Sequence, residues 1–161
     1  METGSGVLDE EDIGETVFST GSYSGSRRMD EARPRVLLID DEKDIVRTFT
    51  LFLERHGYVV DSARNGREAL AKLGEGLYQA VVLDYRLPDI NGTDLLRRVN
   101  ELQPGAVKVM LTGFVSLEKA AESLIHGADS YLIKPVNMNE LLGVIEEKLR
   151  ERAKSGKEGN T

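Results

Sequence analysis

Three acidic side chains in a row, Asp40, Asp41 and Glu42, follow the apolar run Val36-Leu37-Leu38-Ile39, and another acid, Asp84, closes the run Ala80 to Leu83. Thr112 ends a third run, Val107 to Leu111, and Lys134-Pro135 ends the run Tyr131-Leu132-Ile133. Singly, each has an ordinary explanation, since an Asp after a strand caps a helix or turns the chain and a lysine is usually solvated. Together they describe one chemistry. Three carboxylates held about 5 Å apart repel by roughly 3 kcal/mol per pair at an effective dielectric near 20, so they need protonation or a cation between them. Oxygen donors without a nearby His or Cys favour Mg²⁺, which keeps several waters and takes carboxylate together with phosphate oxygens. A carboxylate can itself be the nucleophile of phosphoryl transfer, with a metal and an ammonium neutralising the developing charge. Asp84 suits that role, with Asp40 and Asp41 supplying the metal and Lys134 the ammonium. Thr112 adds a hydroxyl able to hydrogen-bond a phosphoryl oxygen.

The elements that must position these residues follow from the spacing of apolar side chains. The three runs named first are nearly continuous, as in parallel strands covered on both faces, and Tyr58-Val59-Val60 and Tyr131-Leu132-Ile133 supply two more. Ile45, Val46, Phe49, Phe52 and Leu53 form a helical stripe, as do Leu141, Leu142, Ile145 and Leu149. Three further helices are expected near Arg67 to Leu73, Asp94 to Leu102 and Leu117 to His126. Asn65 with Glu68 fits a capping box, Ser116 fits a helix N-cap, and Gly57 and Gly127 stand where left-handed helix stops belong. Strict alternation of strand and helix, five times over, predicts an α/β fold: a doubly wound parallel sheet of five strands with five helices in three layers. Ligands of such sheets bind outside the carboxyl ends of the strands, where Asp40, Asp41, Glu42, Asp84, Thr112 and Lys134 all fall.

The chain has 161 residues, 40% hydrophobic and 30% charged, enough for one soluble domain. It lacks cysteine, which excludes disulfides and thiolate metal sites. No apolar run is long enough to cross a bilayer and the start carries acids, so the chain is expected to be cytoplasmic, with no membrane partner. The formal net charge of −7 argues against direct nucleic-acid binding. Up to Pro34 eight acids face three arginines and no apolar period is sustained, so residues 1–34 are expected to be a disordered acidic, Ser- and Gly-rich leader. The domain proper is expected over residues 35–153, with a polar tail at 154–161.

With LLIDDE, VVLDYRLPDINGTDLL, MLTG and GADSYLIKP in that order, the stretch from Val36 to about Arg150 resembles the response-regulator receiver domains of two-component signalling. The resemblance implies a flavodoxin-like sheet of order 2-1-3-4-5 and a phosphoacceptor at Asp84. It implies a Mg²⁺ site of Asp41, Asp40 largely through water, Asp84 and the carbonyl of Arg86. It further implies Lys134 as the partner of the phosphoryl group, a cis bond before Pro135, and Thr112 and Tyr131 as the switch pair. The implied phosphodonor is a histidine kinase or phosphotransfer protein. The implied readout is the surface of the fourth helix, fifth strand and fifth helix, where a downstream protein or a second copy in a phosphorylation-dependent dimer would bind. Arg86 and Phe114 stand where the family varies in a way that tunes the lifetime of the acyl phosphate. On this reading the chain is a signalling switch rather than an enzyme, acting alone or as a fragment of a longer regulator.

The rival readings fit less well. Phosphatases of the haloacid-dehalogenase type use an Asp-x-Asp nucleophile at the end of the first strand, where this chain has Asp-Asp-Glu. A flavodoxin needs a hydroxyl-rich phosphate loop there, and Asp40 and Asp41 would repel that phosphate. A degenerate receiver is disfavoured because every expected residue is present.

Overall fold

The computed structural model describes residues 33–113 and 116–159. The expected leader, up to residue 32, and Phe114 lie outside them. Strands β1 (Arg35–Ile39), β2 (Val59–Ala63), β3 (Ala80–Asp84), β4 (Val107–Thr112) and β5 (Ser130–Ile133) alternate with helices α1 (Lys43–Arg55), α2 (Gly66–Glu75), α3 (Gly92–Leu102), α4 (Leu117–Ile125) and α5 (Met138–Gly159). The strands form one parallel sheet in the order β2-β1-β3-β4-β5, as expected.

Alternation along the strands builds two cores. Val36, Leu38 and Val82 point to the face covered by Phe49 and Leu53 of α1 and by Leu141, Leu142 and Ile145 of α5. Leu37, Ile39, Val81 and Leu83 point to the opposite face, covered by Ala69 and Leu73 of α2 and by Leu95, Leu96 and Val99 of α3. Full burial of each large aliphatic side chain is worth about 2 kcal/mol, which is why the buried stretches Val36–Ile39 of β1 and Ala80–Leu83 of β3 hold no polar residue. Helix α4 is different: its only buried residue is Ser123, while Leu117, Leu124 and Ile125 are exposed.

Two boundaries differ from those read in the sequence. Strand β2 begins one residue later and runs on through Asp61-Ser62-Ala63. As an edge strand it accommodates a polar side chain, and Asp61 accepts hydrogen bonds from Arg35 Nη2 at 2.6 Å and from the Tyr78 hydroxyl at 2.7 Å. Helix α5 continues to Gly159, so most of the 154–161 segment expected as a polar tail is helical backbone. Helix periodicity cannot mark that end, because a fully exposed helix needs no apolar stripe.

The punctuation is as expected, with one shift. Asn65 Oδ1 accepts from Glu68 N, but the Glu68 carboxylate accepts from Arg64 N rather than from Asn65 N, so the capping box closes one residue early. Ser116 Oγ accepts from Lys119 N, and Gly57 and Gly127 adopt φ of 94° and 105°.

Candidate functional site

The parallel register brings the carboxyl ends of β1, β3, β4 and β5 to one rim. Asp40 follows β1 with no solvent exposure, and Asp84 ends β3 with 6%. Exposed Asp41 completes a set of carboxylates, each offering an oxygen within 4.8 Å of the others. Lys134, just beyond β5, sends its ammonium between them: Nζ donates to Asp40 Oδ2 and Asp84 Oδ2, both at 3.0 Å, and to Glu42 Oε1 at 3.3 Å. Its backbone N donates to Thr112 O at 2.7 Å, and the Lys134-Pro135 bond is cis.

The free carboxylate oxygens are tied by main-chain donors. Glu42 N donates to Asp40 Oδ1 at 2.9 Å and Arg86 N to Asp84 Oδ1 at 3.2 Å. Burial pushes the Asp84 carboxyl above the ordinary aspartate range and the charge of Asp40 adds to it, against the opposing Arg86 N–H and Lys134. Burial also disfavours the Lys134 ammonium, but hydrogen bonds to Asp40 and Asp84 outweigh that and raise it above the ordinary lysine value. The ammonium is therefore fixed in place, and the acids around it outnumber it. Asp41, Glu42, Asp84, Arg86, Gly113 and Lys134 line an open cleft of about 390 Å³ over this cluster.

The loop after Asp84 is drawn in tightly. Tyr85 N donates to Leu111 O and Gly92 N donates to Tyr85 O, each at 2.7 Å. A Cβ on Gly92 would lie 2.6 Å from Tyr85 Cα, so only glycine lets α3 start this close to the end of β3. Arg86 pairs with Asn91 in an isolated antiparallel bridge.

Thr112 is buried at the end of β4, opposite Ile133. Tyr131, half-buried on β5, pairs in register with Met110 and packs against the core beneath α2 and α3. Three contacts escaped sequence reasoning. Glu42 reaches Lys134; Asp89, in the loop after β3, bonds the start of α2; and Tyr85 reaches α4, its hydroxyl 3.5 Å from Glu122 Oε1 and 3.3 Å from Lys119 Nζ. The partners lie more than 20 residues apart, beyond any local pattern.

Among the described residues no helix is long and apolar enough to cross a membrane. The response regulator receiver domain family matches residues 36–146. A CheY-like receiver domain protein from Methanospirillum hungatei JF-1 is 41% identical with a TM-score of 0.74, over 76% of this chain and 98% of that one. A response regulator from Burkholderia pseudomallei, solved with a phosphorylated aspartic acid, a calcium ion and citrate, is 32% identical with a TM-score of 0.68, over 80% and 75%. The transcriptional regulatory protein TrcR of Mycobacterium tuberculosis is 36% identical over 81% of this chain and 51% of its own length. The chain spans about half the length of the curated relatives it matches. Several of those are transcriptional regulatory proteins, so they lend no support to the expectation of no direct nucleic-acid binding. In sheet order, in the acids gathered at one rim and in sequence over most of its length, this chain belongs to the response regulator receiver domains of two-component signalling.

Proposed function

We propose that Asp84 is the phosphoacceptor and that its donor is the phosphohistidine of a histidine kinase or phosphotransfer protein. The observation that carries this reading is the buried Asp84 carboxylate sharing the Lys134 ammonium with Asp40 beside an open cleft. An Asp84 oxygen attacks phosphorus, the bond from phosphorus to the histidine nitrogen breaks, and the histidine leaves. Lys134 then neutralises a phosphoryl oxygen, and the Thr112 hydroxyl donates to another.

The hard-oxygen donors of Asp40, Asp41, Asp84 and the Arg86 carbonyl suit Mg²⁺, and the acids here exceed the ammonium that partly balances them. Bound there, Mg²⁺ supplies positive charge to the phosphoryl oxygens during transfer. Phosphorylation switches the face of α4, β5 and α5, with Thr112 and Tyr131 as the moving pair. That face exposes Leu117, Leu124, Ile125 and Ile133, a surface suited to a protein partner or a second copy. Output to nucleic acid, as the names of the relatives suggest, would pass through that protein contact.

Intact-mass analysis after incubation with phosphoramidate and Mg²⁺ tests the reading. Wild type gains one phosphoryl group only with Mg²⁺, and Asp84→Asn gains none; equal labelling of both chains would sink the assignment.

A further inference from the structure

The loop from Tyr85 to Asn91 carries the Arg86 carbonyl, and its middle is fastened to a helix on the far side of β1. Asp89 Oδ1 accepts from Gly66 N at 2.8 Å and Asp89 Oδ2 from Arg67 N at 3.0 Å, the first two amides of α2. A helix start leaves its first N–H groups without partners in the helix. In α2 they are all accounted for: Gly66 and Arg67 bond Asp89, Glu68 bonds Asn65 Oδ1, and Ala69 already bonds Asn65 O. The carboxylate also faces the positive end of the helix. The same N–H bonds, Gly66 first, hold its carboxyl below the ordinary aspartate range.

Packing repeats the fastening one residue on. Ile90 lies so close to α2 that a Cβ on Gly66 would come within 2.3 Å of Ile90 Cγ2. Leu87 and Ile90 both pack against the core beneath α2 and α3. Asn65 already caps α2 from within its own segment, so the carboxylate from β3 to α3 does more for the loop than for the helix.

We propose that Asp89 is a positioning residue for the cation site: by clamping the loop to α2, it fixes where the Arg86 carbonyl and the Asp84 carboxylate present their oxygens. It touches no cation itself. The inference rests on the reading of Asp84 and Arg86 as ligands. Mg²⁺ demands near-ideal octahedral geometry, so freedom in one ligand weakens binding; loss of groups that orient ligands typically costs 10–100-fold in affinity.

Calorimetric titration of the full chain with Mg²⁺ decides it. Asp89→Ala is expected to raise Kd about tenfold, with Asp89→Asn, which keeps one acceptor oxygen, in between. Asn65→Ala also strips α2 of an N–H partner but leaves the loop clamped, and is expected to stay within about twofold of wild type. Unchanged Kd in Asp89→Ala overturns the inference while leaving the site intact. An equal loss in Asn65→Ala reduces Asp89 to a helix cap and overturns it too. Absence of Mg²⁺ binding in wild type instead overturns the reading of the site. Hydrogen exchange of amides 86–91 without metal then still tests the clamp, which fails unless Asp89→Ala alone accelerates it.

Discussion

Lys134 pairs with Asp40, Glu42 and Asp84, and removing it strands a carboxylate that has no solvent exposure. Breaking a buried pair by deleting one partner typically costs 3–5 kcal/mol, so Lys134→Met is expected to lower stability by about that much in urea unfolding at pH 7. Asp84 behaves oppositely. Its folded pKa is raised, so its contribution to stability is present below the unfolded aspartate value and is lost as pH rises through the folded one. Asp84→Asn is therefore expected to melt at a higher temperature than wild type at pH 7, with the gap closing as pH falls below about 4. An unchanged gap across that range would show that burial does not disfavour the Asp84 carboxylate.

Among the elements, those in the centre were legible in the sequence and those held by long-range polar contacts were not. Strands β1, β3 and β4 are read within a residue because burial on both faces demands uninterrupted apolar side chains. Lys108 interrupts β4 without ending it, since its ammonium bonds Asn100 Oδ1 at 2.6 Å and Pro104 O at 3.2 Å, partners that no local pattern names. Strand β2 was cut short because Asp61 reads as a turn until Arg35 and Tyr78 are known to meet it. The acid cluster was legible because each member directly follows an apolar run, whereas Asp89 and Tyr85 act across the fold. At this scale Gly92→Ala should force α3 away from Tyr85, at about 1–3 kcal/mol for overpacking, read as a lower denaturation midpoint with unchanged slope. Tyr85→Phe, which removes only the hydroxyl beside Lys119 and Glu122, should speed amide exchange in α4 while leaving β3 unchanged.

For the molecule as a whole, the proposed cation binding would be linked to folding, because the carboxylates converge only in the native state. Mg²⁺ at a hundred times its Kd should add about 2.7 kcal/mol, seen as a raised melting temperature that Asp41→Ala largely abolishes. The helices differ in how firmly they are fastened to the sheet. Helices α1, α2, α3 and α5 each bury several side chains, while α4 contributes Ser123 alone, its hydroxyl without a hydrogen-bond partner among the described residues. In mechanical terms α4 is the compliant member of an otherwise stiff frame. On the proposed reading, a phosphoryl group at the rim would move α4 before the better-packed helices, because α4 has the least buried contact to give up.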